Sequence, residues 1–201
     1  MFGFFRKDPG KLLKSATAHR EAGRLDKAIN DLIEAYRVIS KGDVGYPVET
    51  YLRLPLFLQE AGRPNEAWIQ FYSLLQQGFH LMPRDSCLTP MFHSAIYDKM
   101  RLFLQRQGAP LLACCYGLGS RYATALGFYR QMRVDELLAI LDVDSEREML
   151  TKMLKKAKAT EKADAILSVT APFRKNIATT EPIEVIYAVC NSLQLSPEYK
   201  A

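Results

Sequence analysis

The sequence predicts an all-α protein: two to three antiparallel helical hairpins forming an α-solenoid, followed by a helical C-terminal element. The tetrapeptide EAGR occurs at 21–24 and again at 60–63, and each copy lies between apolar residues at helical spacing. Each repeated glycine, Gly23 and Gly62, is followed five residues later by an alanine, Ala28 and Ala67. Gly108 with Ala113 gives the same pair a third time, and the three glycines stand 39 and 46 residues apart, the period of helical-hairpin repeats.

The first hairpin runs from Lys11 to about Ser40. Leu12, Leu13 and Ala16 form one apolar face before Gly23; Leu25, Ala28, Ile29, Leu32, Ile33 and Tyr36 form another after it. Gly23 can take the left-handed conformation that ends a helix, and Asp26 stands where negative charge favours the start of the next. The Gly- and Pro-rich stretch 40–49 breaks the pattern, and Tyr51, Leu52, Leu54, Leu56, Phe57 and Leu58 resume it. Pro55 is expected to kink this helix or to lie in its first turn. After Gly62, Pro64 and Asn65 open the partner helix. The segment 97–120 repeats the plan around Gly108.

These positions resemble a divergent tetratricopeptide repeat. That family places a small residue early in the first helix, a glycine at the turn, an alanine five residues on, an aromatic four later and an alanine three beyond. Ala16, Gly23, Ala28 and Ala35 fit, with Leu32 at the aromatic place; Gly62, Ala67 and Phe71 fit, with Pro55 and Leu74 at the two remaining small-residue places. Gly117 and Ser120 depart from the pattern after Ala113. The resemblance covers residues 9–120. A physical reason accompanies it, since two helices approach closely only where small residues meet bulky ones. It implies a protein-interaction module whose first helices line a concave groove. The groove residues would be Leu13, Thr17 and Arg20, then Glu49, Leu52, Leu56 and Gln59, then Asp98, Leu102 and Gln105. Leu13 and Thr17 stand where the carboxylate-gripping subfamily carries Lys and Asn, so that particular partner is not implied.

Residues 121–201 lack the repeat but keep helical spacing. Ser145 and Glu148 form an expected capping box ahead of a Met149, Leu150, Met153, Leu154 and Ala157 stripe. Thr180 is expected to cap a last helix with Pro182 in its first turn. The predicted organisation is an N-terminal segment 1–10, a repeat region 11–133 and a C-terminal element 134–201 packing on or capping the repeats.

With 48% apolar and 24% charged residues in 201, the composition is that of a globular protein. No apolar run reaches a membrane-spanning length, and the start MFGFFRKDPGK is read as neither signal peptide nor span. Cys87, Cys114, Cys115 and Cys190 show no metal-binding spacing, which suits reduced thiols and a cytoplasmic location. His19, His80 and His93 have no carboxylate or thiol at a recurrent catalytic spacing; Cys87 with His93 lacks a third group. The glycine-rich 116–127 lacks the strand and lysine of a phosphate loop. No metal, cofactor or enzymatic role is therefore predicted.

Charge points elsewhere. The overall formal charge is +5, and 79–133 is its basic part. There Arg101, Arg106, Arg121, Arg130 and Arg133 alternate with Tyr97, Tyr116, Tyr122, Phe128 and Tyr129. Arg and Tyr dominate protein–protein hot spots, and the same mixture can bind phosphates and stack bases. The expected partner is a protein or acidic peptide held by the groove and by Arg101, Arg106, Arg121, Tyr122, Tyr129, Arg130 and Arg133. A nucleic acid is the alternative.

Overall fold

The computed structural model describes residues 8–77 and 88–199, so the Phe-rich start, His80 and Cys87 lie outside the described residues. Every regular element among those described is helical. Four helices come first: α1 (Pro9–Glu21), α2 (Leu25–Ile39), α3 (Val48–Glu60) and α4 (Pro64–Gln77). Six follow: α5 (Thr89–Arg106), α6 (Pro110–Arg130), α7 (Val134–Leu141), α8 (Val143–Ala157), α9 (Ala163–Lys175) and α10 (Pro182–Ser192). The described residues fall into two compact units, 8–77 and 88–199. No described helix is long and apolar enough to cross a membrane.

In the first unit α1 pairs with α2, α3 with α4, and α2 also packs on α3. The α1–α2 and α3–α4 turns are built alike. Gly23 and Gly62 have φ of 70° and 71°, a region that costs glycine nothing. In one turn Gly23 N donates to Arg20 O at 2.9 Å and Arg24 N to His19 O at 2.8 Å; in the other Gly62 N donates to Gln59 O at 3.1 Å and Arg63 N to Leu58 O at 2.9 Å. Ala28 and Ala67, five residues on, are both fully buried, as are Leu32 and Phe71 at the next equivalent place. The absence of side-chain bulk at the alanines lets each hairpin close.

Pro55 lies inside α3, well past its first turn. Its ring removes the N–H that would reach the carbonyl of Tyr51. The Tyr36 hydroxyl, from α2, donates to Thr50 O at 2.5 Å and approaches Tyr51 O at 3.4 Å, and so supplies a donor where the helix lacks one. Burial in that position raises the Tyr36 pKa well above the ordinary phenol value.

The second unit is organised around α6. Gly108 (φ 74°) turns α5 into α6 with the same pair of bonds, Gly108 N to Gln105 O at 3.3 Å and Ala109 N to Leu104 O at 2.9 Å. The glycine-rich 116–127 stretch lies within α6. Its glycines are contact points. A side chain at Gly119 would come within 2.5 Å of Ile186 on α10, and one at Gly117 within 2.7 Å of Met153 on α8. Residues 134–199 pack in the same unit as α5 and α6, with α7, α8 and α10 against α6 and α9 against α8 and α10.

Two expected caps are corrected. Helix α8 begins one turn's reach earlier than the Ser145–Glu148 box: Asp142 is its N-cap, and its Oδ1 accepts from Ser145 N at 2.8 Å. Thr180 does not cap α10. Its hydroxyl turns back to Phe173 O and Asn176 O at 3.2 and 3.0 Å, while Pro182 begins the helix.

Candidate functional site

The second unit contains a polar cluster that the apolar stripe of α8 conceals. Glu146 is fully buried and accepts a 2.6 Å bond from Thr170 Oγ1 and a 3.2 Å bond from Tyr122 Oη, with Arg174 Nη1 at 2.9 Å. Arg121 Nε stands 4.0 Å from its other oxygen. Two arginines thus share one buried carboxylate, leaving a cationic excess inside the unit. Burial lowers the Arg121 pKa, and the Glu146 charge opposes that shift. The Tyr122 pKa is raised by burial first and by Glu146 second.

Arg121 carries that excess to the wall of an open pocket of about 550 Å³. Its side chain is nine-tenths buried. Arg121 Nη2 donates to Asp142 O at 3.3 Å and Ser145 Oγ at 3.2 Å, but Nε has no hydrogen-bond acceptor. Arg101, Lys152, Ser120, Met149 and Met153 also line the pocket. Arg101 is held on Asp98 Oδ1 at 2.6 Å and Lys152 on Glu148 at 2.6 Å. Both are short-range pairs at the rim, so an incoming anion can replace the acid at small cost. The pocket combines cations, hydroxyls and flexible thioethers, which suits a carboxylate beside an apolar side chain.

The predicted basic region is therefore divided. Arg101 and Arg121 meet at this pocket, with Asp98 of the predicted groove. Tyr129, Arg130 and Arg133 gather at the far end of α6, where Arg133 lies 4.5 Å over the Phe128 ring. Arg106 ends α5 beside the start of α6, about 30 Å away by helix rise. Tyr122 is not a surface residue: only 1% exposed, it is locked to Glu146 and Thr170 O. Tyr97 and Tyr116 are buried too, so most of the expected stacking rings are core. Leu102 and Gln105 are half-buried on α5.

In the first unit α1 and α3 meet along part of the predicted groove. Thr17 Oγ1 accepts from Arg53 Nη2 at 2.7 Å, the same nitrogen reaches Leu13 O at 3.0 Å, and Arg20 pairs with Glu60 at 2.7 Å. Arg20 and Arg53 both lie over the Phe57 ring, at 5.2 and 5.6 Å. Glu49 is exposed, and Leu56 and Gln59 are half-buried. Leu52 is corrected to core, because the face of α3 that adjoins α1 runs through Arg53 and Glu60 instead. A second cleft of about 530 Å³ lies on the other side, with Ile33, Tyr36, Leu54, Leu58, Gln70 and Leu74 among its walls.

Sequence reasoning missed Glu146, Thr170, Arg174 and Arg53. The acidic residue interrupting α8's apolar face was a usable signal: Glu146 stands four residues before Leu150 and eight before Leu154, both fully buried.

Among the described residues no group of three His, Cys, Asp or Glu side chains is placed to hold a metal ion. Cys114, Cys115 and Cys190 are buried and unbridged, and burial pushes the Cys114 thiol up to about 12. His19 is tied locally, its Nδ1 accepting from Arg24 Nε at 3.1 Å. No protein-family model, curated protein or solved structure matches the chain.

Proposed function

We propose that this chain is a non-enzymatic, cytoplasmic protein-interaction module of tetratricopeptide-like hairpins, which binds an acidic segment of a partner protein. The observation that carries the reading is an open pocket lined by three cations, Arg101, Arg121 and Lys152, in which Arg101 and Lys152 are held only by short-range rim pairs with Asp98 and Glu148. A carboxylate entering there can take over one of these cations in a charge-assisted bond worth about 1.5–3 kcal/mol without disturbing the core. Met149 and Met153 receive an adjoining apolar side chain.

The equivalent bonding of the Gly23, Gly62 and Gly108 turns, with a buried alanine five residues after each, supports the repeat origin. The high pKa of the Cys114 thiol and the local ties of His19 support a binding role over nucleophilic chemistry. Burial of Tyr97, Tyr116 and Tyr122 removes rings that would stack bases, which favours a protein over a nucleic acid.

Affinity capture from native lysate, with and without nuclease, tests the class of partner. The reading expects a stoichiometric protein complex that survives nuclease. A complex that dissolves with nuclease and weakens steeply with salt would instead establish the nucleic-acid alternative.

A further inference from the structure

Gly117 forms the floor where two walls of the acidic-peptide pocket meet. A Cβ there would lie 2.7 Å from Met153 Sδ of α8 and 3.0 Å from Arg101 Cδ of α5, so the thioether and the arginine stem converge on one point of the α6 backbone. Met153 is half-buried and lines the pocket, with Met149 one turn before it on α8. A thioether in the wall of an open pocket is within reach of a dissolved oxidant. One in the core is not, and Met100 of α5 is fully buried.

The contact with Gly117 fixes where an added oxygen can go. Toward α6 the sulfur has no room, because the glycine backbone already fills that side. The oxygen of a sulfoxide therefore projects toward the pocket, whose space Arg101 shares. Arg101 Nε and Nη2 both donate to Asp98 Oδ1, at 2.9 and 2.6 Å, which leaves Nη1 as a donor for another acceptor. A thioether is a weak acceptor, whereas a sulfoxide carries a polar oxygen.

We propose that Met153 is an oxidation site that controls this pocket: its sulfoxide takes the remaining Arg101 donor and makes polar the wall that receives the peptide's apolar side chain. The oxidant is a hydroperoxide, in the simplest case hydrogen peroxide. A lone pair on Sδ forms the S–O bond as the O–O bond breaks, and the departing hydroxide takes the proton from the transferred oxygen and leaves as water. Sulfur is oxidised and peroxide reduced. The inference rests on the acidic-peptide reading of the same pocket.

Treatment of the full chain with hydrogen peroxide tests it, followed by peptide mapping in the mass spectrometer and by fluorescence anisotropy of a labelled peptide of alternating Glu and Leu. Met153 is expected to gain one oxygen well before Met100. The oxidised protein, with an unchanged circular dichroism spectrum, should bind the peptide roughly tenfold more weakly than the untreated protein. Met153→Leu has no sulfur at this place. Whatever its own starting affinity, treatment should leave that affinity unchanged, although Met132, 80% exposed and outside the pocket lining, is still oxidised. Untreated wild type that fails to bind the peptide would overturn the acidic-peptide reading and this inference with it. Equal binding before and after treatment would overturn the inference alone, as would a Met153 no more reactive than Met100, an equal loss in Met153→Leu, or a loss that comes with unfolding.

Discussion

Met132 occupies in the α6–α7 turn the place that Gly108 occupies in the α5–α6 turn. Both have positive φ, 56° and 74°, and both turns close through the same bonds, here Met132 N to Tyr129 O at 3.1 Å and Arg133 N to Phe128 O at 2.9 Å. A side chain in the left-handed region is strained where glycine is not. Met132→Gly is therefore expected to stabilise the protein by ~0.5 kcal/mol, after the entropic cost of glycine, and Gly108→Ala to destabilise it by about 1 kcal/mol. Urea midpoints on dilute protein compare the two. Equal and small shifts would remove the equivalence.

Ala28 and Ala67 sit where paired helices come closest. Ala28→Leu and Ala67→Leu should each cost roughly 1–3 kcal/mol, because the extra volume must push packed helices apart. Near-zero changes in the denaturant midpoint would contradict the close-contact role of both.

Glu146 holds the second unit's polar cluster together. Glu146→Ala should destabilise the fold by about 3–5 kcal/mol, since Arg174 and Arg121 would remain buried without their shared counter-charge. A companion Tyr122→Phe should cost only about 0.5–1.5 kcal/mol, the worth of one ordinary hydrogen bond. Thermal unfolding of both variants gives the ranking; a reversed order would contradict the central place of the carboxylate.

His93 gives the fold a pH dependence of known sign. Burial, and secondarily Arg130, lower its pKa in the folded protein below the ordinary 6.5. On acidification the unfolded chain takes up this proton first, so stability falls as pH drops below 6.5 and stops changing on this account below the folded-state value. In His93→Phe the slope of stability against pH should flatten between 6.5 and that lower value. Parallel slopes in the two proteins would show that His93 titrates alike in both states.

The helices were legible in the sequence because their determinants are local. Gly23, Gly62 and Gly108 mark three turns, and Ala28, Ala67 and Ala113 mark the helix contacts. Met132 was illegible because the backbone tolerates a methionine where it prefers glycine, and so a fourth turn carried no glycine signal. Asp142 was passed over for Ser145 because capping depends on which side chain reaches the third amide. The site was read less well. Arg101 and Arg121 were singled out for charge, but Tyr122 was assigned to the same surface from spacing alone. Its burial depends on Glu146 and Thr170, 24 and 48 residues away in the chain. Such contacts leave no local pattern.

Binding of a labelled acidic peptide of alternating Glu and Leu, followed by fluorescence anisotropy, tests the central claim most directly. The account predicts saturable binding by the wild type, no binding of the Gln–Leu counterpart, and roughly ten- to hundredfold weaker binding by an Arg101→Gln, Lys152→Gln double variant that remains folded. Equal affinity of wild type and double variant for the acidic peptide would contradict it.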